Sequence, residues 1–282
     1  MSENGVPHPV EPAPSLPNPS LFETLHAARM GTNLSPRVTW IVGASSGIGR
    51  ALADELVLRG DAVVVSARSM APLLEQAVIE PQRILPIAVD VTDLTSLAQA
   101  LTQILMHWGR VDRVILNAAD YAPMSLAEFD PALFERLMRI NFMGVIHGIE
   151  AVRAYFLARG TGQIIITASV AGYRGLPYAA PYGATKAALI NMAESLAPEF
   201  AAHGVRLRVI SPGFVRTPMT AKNSFTMPGM IEPAQAALHI ARQLEGSRFE
   251  LLVPRGFGWL MKLIRVLPYP IFFALTRRML KK

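Results

Sequence analysis

Short, continuous apolar segments that alternate with longer helical patterns are the feature of this sequence that most constrains its fold. Seven such segments follow one another from Arg37 onward, at residues 38–42, 62–66, 84–89, 111–116, 163–167, 207–210 and 249–253. They lack the apolar/polar alternation of a half-exposed strand, which is typical of parallel strands covered by helices on both faces. The sequence therefore predicts a single, doubly wound α/β domain with a seven-stranded parallel sheet at residues 37–254.

The absence of cysteine and the placement of charge exclude several classes of protein. With no Cys among 282 residues, the chain has no disulfide framework, thiolate nucleophile, iron–sulfur cluster or cysteine-ligated zinc site, and we predict no metal site. The formal net charge is +6, but residues 251–282 hold seven basic and no acidic side chains, so the rest is near neutral. Because a nucleic-acid binder usually spreads Lys and Arg over a whole face, no nucleic-acid partner is expected.

The beginning of the chain differs in composition from the predicted domain. The first 20 residues contain six prolines and neither Lys nor Arg, which is unlike a secretory signal or a mitochondrial presequence. We expect residues 1–36 to form a disordered, Pro-rich leader. Met30, just before the first predicted strand, is an alternative start to Met1.

Residues 255–282 are predicted to form a basic, amphipathic C-terminal extension. Apolar residues recur at the spacing of one helix face with basic residues opposite, namely Leu260, Leu263, Ile264 and Leu267 against Lys262 and Arg265. Two interpretations have equal weight: residues 258–282 contact a membrane surface, or they form an arm packed on the domain or across a dimer. No apolar run reaches the roughly 18 residues of a membrane-spanning helix. We expect a cytoplasmic protein, peripherally membrane-associated under the first interpretation.

A glycine-rich turn follows the first predicted strand and precedes a helical pattern. Glycines let the backbone approach a pyrophosphate, while the helix N-terminus offers unpaired N–H groups and a partial positive charge. Glycine clusters also occur in ordinary strand-to-helix turns, but the place of this one after the first strand favours a dinucleotide site. The predicted contacts here are Gly43, Ser45, Ser46, Gly47, Ile48 and Gly49.

The end of the second strand predicts which dinucleotide is bound. An NAD site usually has an acidic residue about 20 positions beyond the glycines, where it accepts hydrogen bonds from the ribose. Residues 65–69 contain no acid, and the guanidinium of Arg68 suits the 2′-phosphate of NADP. A surface arginine at a strand end is common, but its coincidence with the missing acid favours NADP(H) over NAD(H).

Four polar residues are candidates for catalysis. Tyr182 and Lys186 are four positions apart at the start of a predicted helix, so their side chains share one face. Tyrosine, with a pKa near 10, is a weak acid–base catalyst at neutral pH unless a nearby ammonium lowers that pKa. Ser169, after the fifth strand, and Asn141, in an apolar helical segment, are weaker signals, because they could be a turn cap and a packing amide.

In their order and spacing these motifs resemble the classical short-chain dehydrogenases/reductases, over about residues 37–254. The resemblance implies a Rossmann-type fold and hydride transfer between a nicotinamide and a carbonyl carbon, with Tyr182 as the acid/base. It also implies that Ser169 orients the substrate oxygen, that Lys186 holds the nicotinamide ribose and lowers the pKa of Tyr182, and that Asn141 anchors a proton-relaying water. Besides the glycine turn, Arg68, Tyr182 and Lys186, it adds the cofactor contacts Asp90, Val91, Asn117, Ala118, Pro212, Gly213, Val215 and Thr217.

Three positions depart from that family's pattern. Val42 stands where the family usually has Thr, and Ala119 where it has Gly, both at contacts between the ends of the first and fourth strands. We therefore expect the hydrogen bonding there to differ. Ser46 stands where some NADP-preferring members have a basic residue, so the prediction of NADP depends on Arg68 alone.

Residues 217–232 lie where the resembled family has its variable substrate lid. Their flexible apolar side chains favour a lipophilic substrate, and include Met219, Phe225, Met227 and Met230. The sequence thus predicts an NADPH-dependent reductase, reversibly a dehydrogenase, of a carbonyl compound such as a 3-ketoacyl compound or a long-chain ketone. The alternative is a catalytically quiet NADP-binding scaffold or sensor at a membrane surface. The resemblance also implies a homodimer or homotetramer.

Overall fold

A seven-stranded sheet forms the centre of the computed structural model, which describes residues 36–280. Its strands are β1 (Val38–Val42), β2 (Ala62–Ala67), β3 (Ile84–Ala88), β4 (Arg113–Leu116), β5 (Gly162–Thr167), β6 (Val205–Pro212) and β7 (Glu250–Val253). Neighbouring strands are all parallel, in the order β3-β2-β1-β4-β5-β6-β7. The prediction of a doubly wound α/β fold with seven parallel strands is confirmed. Apart from Pro36, the leader predicted at residues 1–36 lies outside the described residues.

Two strands differ from the prediction by two residues at an end, whereas the others match it within one residue. β4 begins two residues late, at Arg113, because the backbone N–H of Val111 donates to the hydroxyl of Tyr155 instead of joining the sheet. β6 extends beyond the apolar run at residues 207–210, although it includes charged residues. Arg208 is buried there because its guanidinium donates to the backbone carbonyls of Leu244 and Arg248, which satisfies the charged group.

Helices cover both faces of the sheet. In chain order they are α1 (Gly47–Leu58), α2 (Ala71–Ile79), α3 (Leu94–Trp108), α4 (Pro131–Leu137), α5 (Gly144–Arg159), α6 (Ala180–Ala202), α7 (Pro233–Leu244), α8 (Arg255–Arg265) and α9 (Tyr269–Arg277). Successive residues of β1 point to opposite faces, so Trp40 packs with α3, α5 and α6, while Ile41 packs with α1, α2 and α7. Both faces of the strands are therefore buried, which explains their continuous apolar sequences.

The strand order places a crevice at the carboxyl edge of the sheet. The chain runs outward from β1 through β2 to β3 and then crosses back to β4 on the other side of β1. The loops after β1 and β4 therefore lead away in opposite directions. Such a switch point is where ligands bind in doubly wound sheets.

The C-terminal helices α8 and α9 pack on the domain through one face. Arg174, in the loop before α6, donates to the carbonyl oxygens of Ile264, Arg265 and Leu267, at 2.9 Å for Arg265. The same guanidinium lies 4.1 Å from the ring centroid of Phe272, which is buried. The structure thus shows an arm packed on the domain, as the second interpretation of residues 258–282 predicted for an arm within one chain.

The helix face that docks overlaps the predicted apolar face only in part, because Ile264 packs on the core and Leu267 is half-buried. Phe257, Gly258 and Met261 face the domain, whereas Leu260 and Leu263 of the predicted stripe are 51% and 63% exposed. Gly258 favours this choice, because a Cβ there would lie 3.0 Å from the side chain of Leu252, so any larger residue would require Leu252 to shift. Within residues 36–280, no helix combines the length and hydropathy needed to cross a bilayer.

Candidate active site

The turn between β1 and α1 is built on glycines for steric reasons. Gly43 has a φ of 95°, and a Cβ there would lie 2.4 Å from the backbone nitrogen of Ala118. A Cβ on Gly49 would lie 2.1 Å from the carbonyl oxygen of Gly43. Any larger residue would push the turn away from the end of β4, so both glycines are needed for its tight path. Gly49, predicted as a cofactor contact, does not line the cavity described below, because it packs the turn against the helix instead.

The ends of β1 and β4 stay hydrogen-bonded despite the departures at Val42 and Ala119. The side-chain amide of Asn117 donates to the carbonyl oxygen of Gly43 at 2.8 Å, and the backbone N–H of Asn117 donates to that of Val42 at 2.8 Å. Asn117 therefore supplies the bond between the two strand ends. It lies, with Ala118, at the wall of the crevice.

The N-terminus of α1 is suited to an anion. Ser46 is the N-cap, yet no side-chain hydrogen bond caps the helix, and its first turn contains no acidic residue. The N–H groups of this turn and the positive end of the helix dipole therefore face the crevice without a neutralising side chain. Ser45, Gly47 and Ile48 also line this crevice. These residues fit the pyrophosphate of a dinucleotide.

Arg68 and Asp90 lie where the next two strands end. Arg68 directly follows β2, is exposed and lines the same crevice. The carboxylate of Asp90, after β3, accepts hydrogen bonds from the backbone N–H and hydroxyl of Thr92 at 2.9 and 2.8 Å, which lower the pKa of Asp90. Val91 is buried beside them, against Gly144. The structure thus brings the predicted cofactor contacts Arg68, Asp90 and Val91 together at the crevice.

Ser169, Tyr182 and Lys186 meet beyond the glycine turn. Ser169 follows β5, and its hydroxyl accepts the backbone N–H of Ala171 at 3.1 Å, so it caps a short 3-10 turn and also faces the crevice. Tyr182 and Lys186 come from the first turns of α6, with the Lys186 Nζ 5.5 Å from the Tyr182 ring centroid. The Lys186 Nζ also donates to the carbonyl oxygen of Thr167 at 2.8 Å.

The protonation of Tyr182 and Lys186 differs from the expectation that lysine lowers the tyrosine pKa. Removal from water raises the pKa of Tyr182 to about 12, although a hydrogen bond with Ser169 opposes the rise. Burial lowers the pKa of Lys186 to about 7, because its side chain is 1% exposed and lacks a carboxylate partner among the residues described. A lysine that is partly neutral at pH 7 does little to stabilise a tyrosinate. The raised pKa of Tyr182 keeps its hydroxyl protonated at neutral pH.

Asn141 lies behind the catalytic residues and does not line the crevice. It is fully buried in a π-helical segment, Met138–Met143, between α4 and α5. Its side chain pairs with the backbone of Asp120, accepting the N–H at 2.7 Å and donating to the carbonyl oxygen at 2.9 Å, and it donates to Thr185 at 3.2 Å. Asn141 thus ties the loop after β4 to the residue next to Lys186.

The loop after β6 closes one side of the crevice. Pro212, Gly213, Val215 and Thr217 all line it. The backbone N–H of Gly213 donates to the carbonyl oxygen of Val253 at 2.7 Å. A Cβ on Gly213 would lie 2.6 Å from the ring of Phe257, so the start of α8 packs directly on this loop.

Two residues that the sequence did not single out, Tyr121 and Asn223, connect the catalytic centre to the predicted lid. The ring of Tyr121 contacts that of Tyr182 edge to face, with centroids 5.0 Å apart. Its hydroxyl donates to the side-chain oxygen of Asn223 at 2.5 Å. Lys222 donates to the carbonyl oxygen of Tyr121 at 2.6 Å. No local pattern marks these residues, because their partners are about 100 positions away.

The crevice continues into an apolar chamber beyond Tyr182. The whole cavity has a volume of about 1550 Å³. Its far walls are aromatic and aliphatic, and come from the lid, the loop after β6 and both C-terminal helices: Phe214, Phe225, Phe257, Met261, Ile264, Phe272 and Leu275. Residues 36–280 contain no group of three His, Cys, Asp or Glu side chains placed to hold a metal ion.

A polar crevice fitted to a dinucleotide, a tyrosine with serine and lysine beside it, and an adjoining chamber define an oxidoreductase that acts on CH–OH or C=O groups with a nicotinamide cofactor. The sequence agrees: residues 37–227 match the family model for short chain dehydrogenases. The chain belongs to that family.

Individual relatives support this assignment. An uncharacterized oxidoreductase of Myxococcus xanthus is 30% identical over 249 residues, which cover 87% of this chain and 98% of that protein. The structure of the 3-ketoacyl-(acyl-carrier-protein) reductase of Brucella melitensis, complexed with NADH, matches with a TM-score of 0.71 at 25% identity, covering 78% of this chain and 96% of that one. An alcohol dehydrogenase of Thermococcus sibiricus, complexed with 5-hydroxy-NADP, matches with a TM-score of 0.69 at 26% identity, covering 77% and 95%.

Proposed function

We propose that this enzyme reduces a hydrophobic ketone to the secondary alcohol with NADPH. The observation that carries the proposal is the position of Ser169 and Tyr182, between a crevice fitted to a dinucleotide and a chamber with apolar walls. A carbonyl group held at these two hydroxyls would extend its carbon chain into the chamber.

The site holds a proton that can pass to a carbonyl oxygen during reduction. The pKa of Tyr182 is raised to about 12, so its hydroxyl is protonated at neutral pH and can donate to a carbonyl oxygen. Ser169 orients that oxygen and stabilises the charge that develops on it. Lys186, beside the Tyr182 ring, holds a proton that can replace the one given up. A nicotinamide cofactor, when bound, supplies the hydride.

The preference for NADPH is argued from Arg68. Its guanidinium follows β2 at the crevice and is exposed, so it is accessible to a phosphate group. Residues 65–69 around Arg68 contain no acidic side chain that could accept hydrogen bonds from a free ribose 2′-hydroxyl. The relatives of known cofactor include proteins complexed with NADH and with an NADP derivative, so Arg68 supports the choice and the family does not decide it.

A hydrophobic substrate follows from the walls of the chamber. Phe214 and Phe225 lie with ring centroids 5.9 Å apart, and Phe214 and Phe257 with centroids 5.6 Å apart. Such a lining favours long apolar chains, because their transfer from water is favourable by about 0.8 kcal/mol per buried CH₂ group. The similarity to a 3-ketoacyl-(acyl-carrier-protein) reductase agrees with a 3-ketoacyl compound or long-chain ketone.

We also propose a location and an oligomeric state for the enzyme. We place it in the cytoplasm as a homodimer or homotetramer, and at a membrane surface through residues 258–282, whose outer face stays apolar and exposed.

The substitution Tyr182→Phe tests the proposal. It removes the proton donor and keeps the ring, so we expect the loss of about a thousandfold in turnover of 2-alkanones while NADPH still binds. The measurements are NADPH oxidation and quenching of protein fluorescence by NADPH. Tyr269→Phe, at a position 68% exposed, is the matched control and should be fully active. Unchanged turnover in Tyr182→Phe would disprove the assignment.

A further inference from the structure

The outer face of α8 and α9 is apolar and exposed. Trp259 and Leu263 on α8 and Val266 at its C-cap are 63%, 63% and 73% exposed, at the spacing of one helix face. The second helix adds an exposed aromatic and aliphatic surface from Tyr269, Ile271 and Phe273. A contiguous apolar surface of this kind is uncommon on a soluble domain and marks an interaction site.

The cavity opens onto this face. Leu260 of α8, together with Leu275 and Met279 in and after α9, lines the cavity and is also exposed. On the inner side of the same helices, Met261 and Phe272 line the cavity and are buried. The two helices therefore form a wall whose rim carries apolar side chains, with the exposed Arg278 beside Leu275 and Met279. An aliphatic chain can pass along the apolar side chains while a polar head group stays near Arg278.

We propose that the outer face of α8 and α9 docks on an anionic lipid surface, and that an amphiphilic carbonyl substrate enters the cavity from that surface past Leu260, Leu275 and Met279. The docking part deepens the membrane placement proposed above by naming an anionic lipid surface and the helix faces that meet it. The substrate part rests on the proposed ketone reduction, whereas the docking part does not depend on that reaction.

The positive charge of this face favours a lipid surface over a second copy of the chain as its partner. Residues 251–280 contain five basic side chains and no acidic one, namely Arg255, Lys262, Arg265, Arg277 and Arg278. A two-fold pairing of this face would bring the same cations against one another, which is unfavourable. Lys262 is paired with Glu250, so Arg255, Arg265, Arg277 and Arg278 are the cations that an anionic bilayer would complement. The apolar side chains between them would enter the bilayer.

The cations lie at the edge of the apolar face. Arg255, Lys262 and Arg265 line a shallow cleft of about 480 Å³ beside Trp259, and the carboxylates of Glu194 and Glu250 lie in the same cleft. Lys262 lies 5.4 Å from the ring centroid of Trp259. An aromatic ring among cations at the border of an apolar surface is typical of side chains at a membrane interface.

The docking part is tested with the double substitution Leu263→Glu and Val266→Glu, which lies outside the cavity lining. We expect the wild-type protein to float with phosphatidylcholine vesicles that contain phosphatidylglycerol, and to float less at high salt. The partition coefficient of the variant on these vesicles should be lower by about tenfold or more. The matched control is Val78→Glu with Ile79→Glu on α2, which carries the same charge change at positions 77% and 71% exposed and should float like the wild type. Leu263→Gln with Val266→Gln removes the apolar groups without adding charge and should also lose binding.

The substrate part is tested with two ketones on the same proteins. The Glu variant should reduce a long-chain ketone embedded in vesicles at least about tenfold more slowly than the wild type, and a short ketone in solution at an unchanged kcat/KM, because the chemistry is intact. Equal rates on the embedded ketone would overturn entry from the lipid surface.

Each failure has its own signature. A wild-type protein that does not bind anionic vesicles would overturn the docking. The docking would also be overturned if light scattering showed a lower mass for the Leu263→Glu, Val266→Glu variant but not for the α2 control. The face would then be a contact between copies of the chain. A wild-type protein that floats but oxidises NADPH with neither ketone would contradict the proposed function and leave the docking in place.

Discussion

At the scale of single residues, Arg68 is the side chain on which the choice of cofactor depends. It is exposed at the end of β2, and its positive charge contributes to the lowered pKa of the neighbouring carboxyl of Asp90. Substitution Arg68→Ser should raise the KM for NADPH by about tenfold or more, since charge-assisted hydrogen bonds to a phosphate would be lost, and change the KM for NADH little. Steady-state kinetics with both cofactors measure this.

The control for Arg68 is an exposed arginine away from the cavity. Arg242→Ser on α7 makes the same change of charge and size and should leave both KM values unaltered. A KM for NADPH that is unchanged in Arg68→Ser would show that the enzyme does not recognise the 2′-phosphate through this residue.

Lys186 makes the stability of the cofactor-free protein depend on pH. Its pKa is about 7 in the folded protein, against 10.5 for an unperturbed lysine, so the folded state binds fewer protons than the unfolded state between these values. The free energy of unfolding attributable to this group therefore rises with pH from about 7 to 10.5. Wild type should gain about 2 kcal/mol relative to Lys186→Met between pH 7 and 9.

Urea unfolding of both proteins at several pH values checks this difference, because other titrating groups are common to the two. If the difference in unfolding free energy between wild type and Lys186→Met were constant with pH, the buried lysine would have a normal pKa and the account of its environment would be wrong.

At the scale of elements, a partly buried carboxylate links α8 to the sheet, in addition to the packing of α8 and its bonds from Arg174. Glu250, the first residue of β7, accepts hydrogen bonds from the hydroxyls of Ser211 and Tyr173 and pairs with Lys262 of α8 at 2.5 Å. Burial raises its pKa, but the bonds from Lys262, Ser211 and Tyr173 outweigh that effect and leave the pKa of Glu250 below the usual value. The charge is thus retained in a site that excludes much of the water.

The substitution Glu250→Gln should loosen α8. We expect a loss of about 2 kcal/mol in the free energy of unfolding, because Lys262 loses its partner in a partly buried site. Since α8 also forms a wall of the substrate chamber, the KM for a long-chain ketone should rise more than that for a short one. Thermal unfolding and ketone kinetics are the measurements.

An exposed ion pair serves as the comparison for Glu250. Glu150 pairs with Arg153 at 2.9 Å, with both side chains about half exposed at 51% and 47%. Glu150→Gln should therefore cost less than about 0.5 kcal/mol and change neither KM. Equal effects of the two substitutions would mean that the attachment of α8 does not depend on Glu250.

At the scale of the whole molecule, one property of parallel sheets assembles the site. All strands end at the same edge, so residues that follow β1, β2, β3, β4, β5 and β6 surround one crevice although they span much of the chain. Strand order alone therefore explains why glycines near the start of the chain and a tyrosine far along it belong to one catalytic centre.

Much of the fold and of the polar part of the site could be predicted from the sequence. Continuous apolar segments specify strands buried on both faces, and Gly43 and Gly47 occupy positive-φ positions that disfavour other residues. Most residues predicted to contact the cofactor line the crevice, and Gly49 is the exception because it packs the turn. These features are local: periodicity, backbone conformation and order along the chain determine them.

What only the tertiary structure decided depends on partners distant in sequence. The pKa values of Tyr182 and Lys186 follow from burial, which no spacing between the two residues can reveal. The contact of Tyr121 with the lid joins residues about 100 positions apart. The extension at residues 255–280 has apolar side chains on more than one side. Phe257 and Met261 face the domain because Gly258 lets the helix approach the sheet closely. By itself the sequence determined the sheet, the glycine turn and the candidate site residues, whereas the environment of each came from nonlocal packing.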